Sequence, residues 1–439
     1  MLRDLGRRVE LLRRHERLLM ISAATVLVMA GQGVIAPVLP LFARQFGVGA
    51  STIGLTLSSF ALARLILNVP LGVLADRRGR RLLLAGGPLV TSAGMVGSGL
   101  ALNIWQLLAW RFVAGAGSAM YMTGAMIYLA DISTRENRAR FLGTNQGALL
   151  LGVSIGPAIG GALAEGWGLR APFFAVGAAA LIAAAYAYLR LPETRGLARA
   201  ESALRAAEAM PQPAAPAGGA APPPLPAPRA ALLRMVRSLD FVAAALFTMA
   251  TFFTRSASQQ TMVPLIGYAR LAISPGKLGA IFSGMALLNL VLITPAAIAG
   301  DRFGRKAVII PSGIVTAVGL ALYAGAGTME LFLLASLVFA LGSSIAGPAP
   351  AAYVADIAPD EARGLAMGVY RTTGDFGLMV GPPLLGLIAD ASSFGWALAA
   401  NALLMGAAAL LFVFARETLR RPGAAAPAVA PTSVEGGDR

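Results

Sequence analysis

PLGVLADRRGRR at residues 70–81 and PAAIAGDRFGRK at residues 295–306 are two copies of one pattern. They pair Pro70 with Pro295, Asp76 with Asp301, Gly79 with Gly304 and Arg80 with Arg305, an offset of 225. The same offset pairs Tyr128 with Tyr353, Asp131 with Asp356, Glu136 with Glu361 and Arg138 with Arg363. It continues through Gly143 and Gly368, Gly152 and Gly377, Gly156 and Gly381, Pro157 and Pro382, and Gly161 and Gly386. One offset held over about ninety residues marks a tandem duplication, and parallel repeats of this kind are a transporter architecture.

Outward from the motif, the chain is too apolar to cover itself in water. Of 439 residues, 57% are hydrophobic and 13% charged, with a mean hydropathy of +0.70. Uncharged stretches at 18–43, 82–110, 112–130, 141–164, 278–300, 307–329, 331–355 and 391–415 are each near or beyond the ~20 residues a helix needs to cross a bilayer. The pattern predicts an all-α membrane protein of twelve transmembrane helices in two pseudo-symmetric six-helix bundles. The expected divisions are a cytosolic amphipathic N-terminus (1–17), the first bundle (18–190) and a Pro/Ala-rich cytosolic linker (191–239). The second bundle (240–415) and a disordered cytosolic tail (416–439) follow. Val28-Met29-Ala30 has the look of a signal-peptide cleavage site, but the apolar run continues to residue 43, so a retained helix is expected.

A net charge of +15 is placed by topology. With the N-terminus inside, 28 of the 36 Lys and Arg residues fall in cytoplasmic segments, and only Arg44, Arg170, Arg270 and Lys277 fall outside. This asymmetry predicts a multi-pass inner-membrane protein with both termini cytoplasmic, and it removes the reason to invoke nucleic acid. There is no cysteine, and the one histidine, His15, lies in the basic N-terminal segment, so no metal site is expected. The phosphate-binding pattern G-x-x-x-x-G-K-[ST] is absent, as is a nucleophile–base set. The expectation is no enzyme and no cofactor, with a proton gradient as the energy source.

The motifs carry a resemblance. GVLADRRGRR at 72–81, RFVAGAG at 111–117 and GVSIGPAIGG at 152–161 resemble signatures of the major facilitator superfamily. The chain is similar in particular to its twelve-span drug:proton antiporters, and the likeness covers all but the linker and tail. The resemblance implies a monomer that exports small amphipathic compounds in exchange for protons. A specific sugar or organic-acid symporter or uniporter is the first alternative, and a non-transporting membrane sensor the second.

Residue roles follow from both sources. Gly72 opens the first motif, Gly79 and Gly304 permit sharp turns, and Arg77, Arg78, Arg80 and Arg81 are expected in water. If the halves pack as the family does, Asp76 faces the start of span 11 and Asp301 that of span 5, where a carboxylate meets a helix dipole. Arg77 or Arg80 is expected to pair with Asp131, and Arg302 or Arg305 with Asp356. Gly152, Gly156 and Gly160 form one stripe, and with Pro157 and Gly161 they are expected at the interface between halves. Intramembrane charges cost roughly 2.5–3.5 kcal/mol each and usually line a polar cavity; here they are Arg64, Arg111, Arg255, Arg371 and Asp375. Asp375 reads either as a proton site or as half of an ion pair with Arg371. Arg111 matches the family arginine linked to proton transfer, or else tethers carbonyls. Arg64 and Arg255 contact substrate or fix helices. Gln32, Asn68, Gln146, Gln259, Gln260 and Asn289 add polar groups, and Phe252, Phe253 and Met262 suit either a pocket wall or helix packing.

Overall fold

The structure, a computed structural model, describes residues 2–133, 137–194, 234–359 and 363–418. Most of the linker and tail therefore lies outside the described residues. Twelve helical spans run in order: α1 (Leu2–Ile35), α2 (Ala50–Arg78), α3 (Arg80–Leu100), α4 (Ile104–Ile132), α5 (Arg138–Trp167) and α6 (Ala171–Arg190). The second half has α7 (Leu239–Leu271), α8 (Pro275–Phe303), α9 (Arg305–Ala324), α10 (Met329–Ile357), α11 (Arg363–Ala391) and α12 (Phe394–Leu411). No strand occurs among the described residues.

Eleven of these helices are apolar enough to cross a membrane on composition alone. α11 is long enough at 29 residues, but Arg371, Asp375, its glycines and its two prolines dilute it. It is sheltered instead, packed on α2 and α7. The basic N-terminal segment is continuous with span 1, since helix α1 begins at Leu2 without a break. Large apolar side chains point outward all round the bundle, with Val69, Leu189 and Leu403 each at least three-quarters exposed. In water that surface would be an aggregation hazard; in a bilayer it is the lipid contact.

The loops Asp76–Arg81 and Asp301–Lys306 share one face of the molecule, here the basic face. Trp105 and Trp396 open α4 and α12 and Trp167 closes α5; all are exposed on the opposite face, where indole rings favour a membrane–water boundary. The halves meet through α2 with α11 and α5 with α8. These contacts follow the repeat: Gly54 faces the Pro382 backbone and Gly279 faces the Pro157 carbonyl, both pairs at the offset of 225. Gly161 lies on Pro275 and Gly279, and Gly386 on Ala50 and Ser51. The Ser58 hydroxyl donates to the Met379 carbonyl, and the Ala158 amide donates to the Ser283 hydroxyl at 2.9 Å. All of these lie toward the opposite face. Toward the basic face, Gly72, Gly143, Gly147, Gly364 and Gly368 have open space where a Cβ would stand. The halves are joined on one side and parted on the other.

Candidate functional site

Each basic loop is a helix end that turns through one glycine. Gly79 has φ +99° and Gly304 φ +105°, conformations that an L side chain resists. Arg80 Nε donates to Asp131 at 2.8 Å, with both side chains under a tenth exposed, and Arg80 also donates to the Ala75 carbonyl. The expectation that Arg80 stays in water is thus corrected: its planar fork is drawn in between a carboxylate and the helix-end carbonyl of Ala75, which also accepts from the Gly79 amide. Arg77 and Arg78 remain exposed, while Arg81 stacks on Tyr188 with its guanidinium 4.7 Å from the ring centre. In the second copy Arg305 pairs with Asp356 at 3.4 Å and with Asp301, and Arg302 lies over Phe303. Asp356 is 40% exposed. Losing one partner costs ~3 kcal/mol for a buried pair but ~1 kcal/mol or less for a solvated one, so the first copy is the firmer.

Two carboxylates absent from the sequence reading complete these loops. Glu193, just past α6, accepts from the backbone amides of Arg80 and Arg81 at 3.0 and 3.1 Å. Glu417, past α12, accepts from those of Arg305 and Lys306 at 3.1 Å each. Thr194 and Thr418 then donate to Asp131 and Asp356. Glu193 and Glu417, which fall in the segments expected as linker and tail, are thus fastened to the bundles. The signal was the recurrence of Glu-Thr after spans 6 and 12, at an offset of 224 instead of 225.

In this conformation Asp76 is 72% exposed and, among the described residues, pairs only with Arg80, one turn away in sequence. Its contact with the start of α11 is not formed, because the basic-face ends of the halves are apart. The glycine stripe also needs correction. A Cβ at Gly152, Gly156 or Gly160 would fall closer than 3.0 Å to the backbone of α1 at Val26, Ala30 and Val34, inside the same half. Only Gly161 and Pro157, a step round the helix, face the other half. Residues four apart share one helix face, and that face is taken by α1.

Between the halves lie two connected chambers, of about 200 and 550 Å³. Both are lined by Gln32, Val153, Arg255 and Gln260. The smaller adds Gln259, Phe282, Met285 and Asn289. The larger adds Arg64, Arg111, Phe252 and Arg371, and reaches Leu142 and Gly143 at the basic face. Arg255, Gln259 and Gln260 stand on a π-helical stretch of α7, Thr254–Met262, a geometry that is frequent at functional sites. Asn401 of α12 holds it, 3.1 Å from the Thr254 hydroxyl and donating to Ser258 at 2.6 Å. Asn289 donates to Ser344, and Gln32 to Ser118. Phe252 lines the larger chamber, whereas Phe253 packs on Gly381 and Met262 is wholly buried.

Arg111 is 4% exposed, with its guanidinium 4.8 Å from the Phe60 ring centre and its Nε without a hydrogen-bond partner. Among the described residues it tethers no carbonyl, and its one hydrogen-bond contact is Met95 Sδ at 3.9 Å. Asp375 is partly buried on α11. Among the described residues no ion pair joins it to Arg371, although Arg64 feels the charge of both. In this conformation Asp375 and Arg371 therefore do not form the ion pair of that alternative.

Comparison with known proteins decides the family. The sequence model of the Major Facilitator Superfamily matches residues 21–269 and 241–435. The chain belongs to the Major Facilitator Superfamily. An uncharacterized MFS-type transporter of Methanocaldococcus jannaschii is 25% identical over 86% of this chain and 92% of its own length. Multidrug resistance protein 2 of Bacillus subtilis is 35% identical over 37% of this chain and 41% of its own. Quinolone resistance protein NorA of Staphylococcus aureus is 32% identical over 36% and 40%. The chain thus spans less than half of either drug-resistance protein. Among solved structures, a D-xylose–proton symporter matches with a TM-score of 0.69 over 91% of this chain and 98% of its own, at 17% identity. A bacterial homologue of the human lysosomal transporter Spinster, inward-facing and unoccupied, matches at 0.69 over 91% and 95%, at 16% identity. Both show the superfamily fold.

For a superfamily transporter the closed side is as informative as the cavity. Asp390, at the end of α11, accepts from the amides of Ala50 and Ser51 at 2.7 and 2.9 Å and from the Ser51 hydroxyl at 2.6 Å. It clasps the start of α2 across the two halves. Its repeat mate, Glu165, stands against Gly276 at the start of α8. Burial pushes the Asp390 carboxyl up, but the Ser51 hydroxyl and the Ser51 and Ala50 amides outweigh it and hold it below the ordinary carboxylate value. No charged side chain is among the groups acting on it. Opening this face frees the carboxyl to return to its ordinary value of about 4. A depressed pKa stabilises the clasped form above that value and loses the effect as pH falls through the lowered one. Closure of this face should therefore be indifferent to pH near neutrality and weaken below about pH 4. Spin-label distances across the opposite face, recorded during acid titration, check this; Asp390→Asn should abolish the acid response.

Proposed function

We propose that the protein is a proton-coupled exporter of small amphipathic compounds working by alternating access, with the basic face in the bacterial cytoplasm. The observation that carries this reading is a cavity lined by both halves at mid-membrane depth, reached from one face and sealed at the other by helix contacts alone. Nothing covalent holds the seal, so the halves are free to rock. In the opposite conformation Asp76 meets the start of α11 and Asp301 that of α5. Each contact is worth roughly 0.3–1 kcal/mol when exposed, enough in sum to bias a two-state equilibrium. Asp375, a partly buried acid on α11 close enough to Arg64 of the larger chamber to act on its charge, and with no ion pair among the described residues, is the proton site of this proposal. The partial similarity to multidrug and quinolone resistance proteins supports the export of amphipathic compounds.

The test is transport by the purified protein in vesicles with an imposed pH gradient, using a panel of amphipathic dyes. Dye movement coupled to the gradient supports the proposal; movement that ignores the gradient refutes the coupling. Orientation is checked separately. The chain has no native cysteine, so single cysteines at Thr134, Ser202 and Ala428 should resist impermeant thiol reagents in intact cells. Labelling of all three from outside would invert the assignment.

A further inference from the structure

We propose that the larger chamber is an anion site, and that its ligand is a small organic anion, a sulfonate, carboxylate or phosphate carried on an apolar body. The inference rests on the reading of this cavity as the transport site and adds the charge of what it holds. Arg64, Arg255 and Arg371 line the chamber from α2, α7 and α11, and so from both halves. Among the described residues none of the three makes a side-chain hydrogen bond or ion pair with protein. Arg255 and Arg371 are exposed to the cavity, and Arg255 feels the charge of Arg64. Like charges gathered at bilayer depth are costly, and a chain keeps them there when they face a ligand or a watery path.

The single opposing charge is Asp375. It offsets at most one guanidinium when ionised and none when protonated, so the chamber is positive in either state. Low-dielectric walls focus such a field, and each guanidinium offers a planar pair of N–H donors matched to an oxyanion. Beside Arg111 and polar groups such as Gln146 and Gln260, the lining has an apolar, soft part: Met29, Leu57, Phe60, Met122, Phe252 and Leu378. Methionine walls adapt to varied shapes. Charged head and greasy body are thus accommodated in one space. An organic cation of the same shape meets these three like charges, and that of Arg111 besides, instead. An anion leaving a negative cell interior would also run down the membrane potential, so the charge preference favours export.

The experiment uses two xanthene dyes of similar shape and opposite net charge, sulforhodamine B (anionic) and rhodamine 6G (cationic). Binding to the purified full-length protein is measured at equilibrium by fluorescence anisotropy, without any gradient. Sulforhodamine B should bind at least about tenfold more tightly than rhodamine 6G, the discrimination that a single good charge contact supplies. Arg255→Gln and Arg371→Gln should each weaken the anionic dye about tenfold and leave or improve the cationic one. Arg255→Lys, which keeps the charge, should keep the preference and shows that the altered site still folds. Equal binding of the two dyes, tighter binding of rhodamine 6G, or parallel losses for both dyes in the glutamine variants would overturn the proposal. Because no gradient is involved, the charge preference can stand while proton coupling fails, and coupling can stand while the preference fails.

Discussion

Vesicles carrying Asp375→Asn will show no transport above empty vesicles when a pH gradient is imposed, while exchange of labelled for unlabelled substrate continues. Asparagine keeps the size and most of the hydrogen-bonding capacity of aspartate but carries no titrating proton, so the substitution removes one property. The position supports so large an effect. Asp375 is the only acid near mid-membrane, it lies on the helix that carries Arg371, and no ion pair among the described residues ties it down. Asp390, the other carboxylate on α11, is held ionised by its clasp and serves closure. Gradient-driven transport at the wild-type rate in the Asp375→Asn protein would place coupling elsewhere.

Gly54→Leu should break the seal on the opposite face. A Cβ at this position would stand 2.5 Å from the Pro382 carbonyl, against backbone that cannot swing aside. Overpacking of this kind costs roughly 1–3 kcal/mol, and the cost falls only on the conformation in which α2 and α11 touch. The equilibrium should shift by roughly one to two orders of magnitude toward the form open on that face. Gly279→Leu should act alike through α5 and α8, since it meets the Pro157 carbonyl. Spin labels at Gln45 and Ser392 report the change as a longer distance. An unaltered distance distribution in both variants would show that these glycines do not set closure.

The architecture was legible because the bilayer imposes long uncharged runs and because the repeat shows through at one offset. Charge placement picks out chamber residues from the sequence alone, since all four arginines inside the spans line the larger chamber. Other features depended on things a linear pattern does not carry. The glycine stripe at 152, 156 and 160 announces close packing, but the partner, α1, is settled by the fold. Asp390 and Glu165 sit at helix ends where a carboxylate looks merely solvated, and only the meeting of the halves gives Asp390 its amides. Glu193 and Glu417 were hidden by composition, since each adjoins a polar segment that reads as linker or tail. The conformation was not legible either. Here the basic face is open and Asp76 pairs with Arg80; its contact with the start of α11 belongs to the closed form proposed above.

The returning carboxylates have a consequence for how the chain is divided. Glu193 lies after the last helix of the first half and Glu417 after the last of the second, yet each reaches back to the start of its own half's third helix. Every half is thus buckled by its own final residues, and neither borrows this fastening from the other. A break in the covalent chain anywhere from residue 195 to residue 233 would spare both buckles and every contact across α2–α11 and α5–α8.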